Sequence, residues 1–110
     1  MSESLFPAST AAVGKRRKAL APQAHEAFQA FSKAVFADGE LDGATKQLIA
    51  VAVAHTTQCP WCIKGHTRAA RRAGASDEQI MEAIWVAAEM RAGGAYAHST
   101  IALHEMEDRD

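Results

Sequence analysis

Leu48-Ile49-Ala50-Val51-Ala52-Val53-Ala54 is the stretch that decides the fold class, because it is apolar at every position. Its β-branched residues Ile49, Val51 and Val53 would suit a buried strand. Length argues the other way. The run lies inside a longer segment that either Asp42 or Thr45 can cap and that reaches about Thr57. Strands are short and helices long, and no other strand-like run exists in the chain, so the segment is expected to be a helix. A helix that is apolar all round has to be covered on all sides, which makes this one central.

The flanks repeat the helical pattern. Ala21 to Ala37 is expected to be a helix, with Pro22 at its first turn and Phe28, Phe31 and Val35 spaced along one face beside Phe36. Asp38-Gly39 stops it. After a break at Thr56-Thr57-Gln58, Cys59-Pro60 starts a third helix that ends near Gly74. Ser76 caps a fourth, with Gln79 completing a capping box and Asp77 and Glu78 in the positive first turn. Its core stripe is Ile80, Ile84 and Ala87, widened by Met81, Trp85 and Ala88. Gly93-Gly94 breaks it or admits a neighbouring helix, and Tyr96 to about Glu105 forms the last helix, before an acidic tail that frays. Residues 1–20 hold Ser, Pro, Gly and the basic run Lys15-Arg16-Arg17-Lys18, and are expected as an N-terminal arm over the surface. The expected fold is therefore all-α: one domain over residues 1–110, a bundle of about five helices with short loops. Trp85 and the phenylalanines are assigned to the core.

Bulk properties exclude several functions. With 110 residues and a net charge of -1, the chain offers no electrostatic case for binding nucleic acid or an anionic membrane. No run of about 18 apolar residues exists, so no membrane span is expected. The N-terminus lacks the apolar segment of a secretory signal, which points to a cytoplasmic protein. Small size and abundant alanine point to a homo-oligomer. No cofactor is expected.

The chemistry is concentrated in Cys59-Pro60-Trp61-Cys62 and His66, which include the only two cysteines. Two thiols at this spacing can close a small disulfide ring and so carry two electrons. In the cytosol such a pair is more often catalytic or metal-binding than structural. The reactive form is the thiolate, with a free pKa of about 8.5. A helix start presents unpaired N–H groups that favour an anion. With Cys59 as cap residue, Cys62 lies in the first turn and His66 follows at i+4 on the same face. One thiolate attacks a peroxide or a disulfide, and the other resolves the product to an internal Cys59–Cys62 bond that an outside dithiol reduces. A thioredoxin would set its C-x-x-C among strands, and there are none here. If the second and third helices fold back near Gln58, Gln47 comes within reach of His66, and His55, nearer the turn, could face Cys59 or Cys62.

Leu41 to Ala50, Cys59-Pro60-Trp61-Cys62-Ile63 with His66, Ala73-Gly74-Ala75-Ser76, Glu82-Ala83-Ile84 and Gly93-Gly94 together resemble the carboxymuconolactone decarboxylase superfamily. Within it the chain is most similar to the AhpD-like alkylhydroperoxidase branch, whose signature is C-x-x-C-x-x-x-H. The resemblance covers about residues 20–105. It implies an all-α fold assembled as trimers or hexamers. It also implies a peroxidase or disulfide reductase of the alkylhydroperoxide reductase, peroxiredoxin-like kind, acting in antioxidant defence. In its best-known members a lipoylated protein is the external dithiol. The decarboxylase branch lacks the cysteine pair, so decarboxylation is not implied. Carried over by position, Cys62 attacks the hydroperoxide, Cys59 resolves and faces the reductant, and His66 belongs to the proton relay. The family's glutamate, twelve residues before the first cysteine, is Gln47 here. An amide can hold His66 by a hydrogen bond but cannot act as a base, which implies low peroxidase activity. His55, Glu82 and Glu89 are the candidates to replace that carboxylate. Two other readings stand beside the enzyme: a zinc site on Cys59, Cys62 and His66, one ligand short of the usual four, and a non-catalytic oligomeric module.

Overall fold

Among the described residues, 5–107 of a computed structural model, the chain forms five helices and no strand. They are α1 (Ala11–Leu20), α2 (Pro22–Phe36), α3 (Gly43–Thr57), α4 (Pro60–Arg72) and α5 (Asp77–Glu107). The all-α expectation holds, but the helices are divided differently at both ends. Part of the expected arm is a helix. Thr10 caps α1 by accepting the Val13 N–H at 3.2 Å, and Arg17 and Lys18 lie in its last turn, where cations suit the dipole. At the other end Gly93-Gly94 does not break the chain, and α5 runs through it for 31 residues. Glycine in a helix costs only about 1 kcal/mol relative to alanine, and no capping residue or proline accompanies the pair to end the helix. No separate helix begins at Tyr96. Glu105–Glu107 are helical, while the rest of the expected acidic tail lies outside the described residues.

Capping explains the joints. Lys46 Nζ donates to Val35 O at 2.9 Å and Ala37 O at 2.7 Å, satisfying carbonyls left at the end of α2 and tying it to α3. Asp38 Oδ1 accepts the Gly43 N–H at 2.6 Å. A Cβ on Gly43 would lie 3.2 Å from that oxygen, so glycine lets the loop close. Asp42 accepts the Thr45 N–H at 2.7 Å and is the cap of α3. The Ser76–Gln79 capping box forms in both directions, at 2.9 and 3.0 Å.

α3 packs against α4 and α5 together, as its all-round apolar sequence requires. Val51, at 0% exposure, joins Ala70 of α4 and Ile80 of α5, with Leu48, Ala75 and Ile84 packed against them. The remaining aromatic residues correct the expected core. Trp85 is 65% exposed and Phe31 64%, with Phe28 and Met81 also exposed. The cause is shape. The radius of gyration is 19.0 Å, against about 13 Å for a compact domain of this length. α5 outruns the α3–α4 pair, and the apolar stripe of α2 meets little of its own chain. No described helix is long and apolar enough to cross a membrane.

The Asp42 cap makes a pH prediction. The hydrogen bond from the Thr45 backbone holds the Asp42 carboxyl below its ordinary value of 3.8. A lowered folded-state pKa stabilises above the unfolded value and is lost as pH falls through the folded one. The stability deficit of Asp42→Ala is thus expected to be full near neutrality and to narrow below about pH 4, as followed by urea unfolding across pH.

Candidate functional site

The turn between α3 and α4 builds the site. Gln58 ends α3 in the left-handed region, at φ 59° and ψ 48°, and its side-chain Nε2 donates to His55 O at 2.7 Å. Cys59 follows as the cap of α4, with Pro60 at the first helical position, where its missing N–H costs nothing. Cys59 Sγ accepts the Cys62 N–H at 3.2 Å, so sulfur takes the place of the usual capping oxygen. Arg91 Nη1 donates to Thr56 O at 2.9 Å, linking α5 to the last turn of α3 beside this joint.

Cys59 and Cys62 are joined as a disulfide, with Cα atoms 5.2 Å apart. One turn along α4, His66 Nδ1 donates to Gln47 Oε1 of α3 at 2.8 Å. An amide oxygen only accepts, so Nδ1 carries a hydrogen, and the neutral tautomer compatible with this bond is the one whose Nε2 is unprotonated. Phe36, the last residue of α2, stacks on the imidazole at 5.1 Å between centroids. Three helices therefore hold one histidine ring.

Cys62 and His66 line two cavities. One, of about 430 Å³, runs between α2, α3 and α4 and is walled by Val35, Phe36, Ile49, Ala50, Val53 and Ala54. The other, of about 720 Å³, opens on the α2–α4 side and adds Gln47, Trp61, Phe28 and Phe31. The first cavity is mostly apolar and has the Cys62 half of the disulfide and the His66 imidazole at one wall.

The expected site residues divide. Cys59, Cys62, His66 and Gln47 come together. His55 does not line either cavity, and its Nδ1 donates to Val51 O at 2.7 Å, the usual arrangement of a helical histidine satisfied by its own backbone. Glu82 and Glu89 are on α5 and line neither cavity. Among the described residues Gln47 is the hydrogen-bond partner of His66, and no carboxylate replaces it. No group of three His, Cys, Asp or Glu side chains there is arranged to hold a metal ion, so the zinc reading has no donor set in the disulfide form. Phe36 escaped the sequence reading, since nothing local to α2 shows that its last turn crosses a histidine of α4.

Comparison with known proteins decides the family. The carboxymuconolactone decarboxylase family model matches residues 22–105, which contain every residue of the site. The chain belongs to this family. Among curated relatives, uncharacterized protein 4 in the cox locus of Paracoccus denitrificans is 61% identical over 110 residues, covering 100% of this chain and 98% of that protein. An uncharacterized protein of Cupriavidus necator is 40% identical over 74% of this chain and 73% of its own length. Among solved structures, a Methanobacterium thermoautotrophicum protein superposes with a TM-score of 0.75 at 32% identity, covering 81% of this chain and 97% of its own. A family protein from Legionella pneumophila gives 0.68 at 31%, covering 82% and 80%. A Thermotoga maritima member gives 0.56 at 25%, covering 76% and 95%, and an involvement in antioxidative response has been suggested for it.

Within this family member the Gln47–His66 bond has a measurable consequence. Gln47→Leu leaves the half-buried Nδ1–H without an acceptor and is expected to destabilise the fold by about 1 kcal/mol, read from the urea midpoint at unchanged slope.

Proposed function

We propose that this protein is a thiol-dependent peroxidase, or a disulfide reductase of the alkylhydroperoxidase kind, that cycles Cys59 and Cys62 between dithiol and disulfide. The observation that carries the reading is the placement of Cys62 and His66 on one wall of an apolar cavity, with the disulfide at the start of α4. Family membership and the suggested antioxidative role of the Thermotoga maritima relative support it.

The cycle starts from the reduced pair. Cys62, in the first turn of α4, benefits as a thiolate from the N–H groups there. Its sulfur attacks the distal oxygen of a hydroperoxide, the O–O bond breaks, and the alkoxide leaves as the alcohol after taking a proton. Cys62 becomes a sulfenic acid. Cys59 then attacks that sulfur, water leaves, and the disulfide forms. The net change is one hydroperoxide and two thiols to one alcohol, one water and one disulfide. An external dithiol, in the family pattern a lipoylated protein, returns two electrons and two protons. His66 has Nε2 for proton traffic because Gln47 holds Nδ1–H. Gln47 orients the ring but takes no proton, which limits the rate. The walls of the cavity favour an organic hydroperoxide over hydrogen peroxide.

A cytoplasmic homo-oligomer, trimer or hexamer, completes the proposal. The exposed apolar faces of α2 and α5 support assembly, since contiguous patches of this kind mark interaction surfaces.

Cys62→Ser is expected to abolish hydroperoxide reduction. Cys59→Ser should allow one turnover and then stop at a sulfenic acid, detectable by dimedone trapping. Full activity in Cys62→Ser would rule out the assigned roles. In a separate assay, Gln47→Glu is expected to raise the peroxidase rate by about tenfold or more by adding a proton acceptor beside His66. An unchanged rate would mean that the amide is not the limiting feature.

A further inference from the structure

The N-terminal segment before α1 lies on the redox motif. Trp61, between the two cysteines, donates its indole Nε1–H to Pro7 O at 2.8 Å, across 54 residues of sequence. The Phe6 ring meets the Trp61 ring edge to face, at 5.5 Å between centroids and 77° between planes. Three residues after Pro7 the chain enters α1 at the Thr10 cap, and α1 packs on α2, so the segment is held at both ends of its path. The Pro7 carbonyl and the Phe6 ring thus both meet Trp61, one of the two residues that the disulfide loop encloses.

From these contacts we propose that residues 5–10 form a strap that gates the disulfide against protein-sized reductants. The inference rests on the reading that an external dithiol reduces Cys59–Cys62. In that step a thiolate of the reductant attacks Cys59 Sγ, and Cys62 leaves as a thiolate. The second thiol of the reductant breaks the mixed disulfide and releases Cys59. The two electrons come from the reductant, which ends as a disulfide, and its two protons end on the cysteines. A small dithiol needs only a path to the sulfur, and Cys59 and Cys62 are half-buried with the strap in place, not sealed. A protein dithiol has to lay its own surface against Trp61, one residue from Cys62 and two from Cys59. The strap covers the part of that surface that Phe6 and Pro7 touch, leaving Trp61 42% exposed, and a partner that needs the whole face has to displace it first. The free fraction therefore scales the rate with proteins and not the rate with small thiols.

The test uses the full chain, oxidised, with Phe6→Ala as the variant and two reductants, dithiothreitol and reduced thioredoxin, each followed by the rate of disulfide loss. Removing the ring contact is expected to speed reduction by thioredoxin about three- to tenfold, with less than a twofold change for dithiothreitol. The indole N–H of Trp61 should exchange with solvent correspondingly faster by NMR, which reports release of the strap independently of any redox rate. Unchanged thioredoxin rates, whether slow or fast, overturn the gate. Equal acceleration by both reductants also overturns it, since the strap would then bear on the disulfide itself. An unaltered indole exchange rate overturns the role of Phe6 as the clasp. Hydroperoxide turnover after dithiothreitol reduction tests the peroxidase reading separately, because it does not depend on the ratio between reductants.

Discussion

Val51 has no exposed surface because α3 is covered by α4 and α5 at the same time, and this double burial positions everything else. A β-branched side chain sealed between Ala70 and Ile80 fixes how α3 rotates about its axis. Once that rotation is fixed, the polar residue one turn before it, Gln47, is directed toward α4. The small alanines along α3 and α4 let the two backbones approach closely enough for a glutamine to reach a histidine across the gap. The core thus sets the geometry of the candidate site with few buried side chains.

The same arrangement leaves large apolar surfaces uncovered. A chain of this size with so small an internal core gains little stability from burial within itself. Most of its aromatic surface is on the outer faces of α2 and α5. The site shares this economy, for three of the α2 residues that wall the larger cavity, Phe28, Phe31 and Val35, belong to the exposed stripe. Any partner that covered α2 would therefore also reshape the approach to Cys62.

The structure shows what Gln47 does at the position where the resemblance implies a glutamate. The amide keeps the hydrogen bond and so keeps the orientation of His66, while giving up a titratable proton acceptor. Orientation and proton transfer, which one carboxylate would supply together, are separated here. The contacts of Pro7 and Phe6 with Trp61 are a second local feature of the motif. The two features lie on opposite sides of Cys62 along α4.

By itself the sequence determined what depends on neighbours along the chain. The helical class followed from the length of the apolar run around Val51, the capping box from Ser76 and Gln79, and the cysteine pair with its histidine from the spacing of Cys59, Cys62 and His66, while the cap of α3 stood open between Asp42 and Thr45 until the structure chose Asp42. These are local because capping, period and i, i+4 proximity are local. It missed α1, whose residues carry no apolar stripe, and it divided α5 at Gly93-Gly94, where a modest propensity cost does not end a helix. Only the tertiary structure decided which residues meet across helices. The fold-back near Gln58 already put Gln47 within reach of His66, but the angle at which α3, α4 and α2 cross brought Phe36 to the same ring, turned His55 to its own backbone, and brought Pro7 to Trp61. Those outcomes depend on the summed packing of three helices and a loop, and no residue window records that sum.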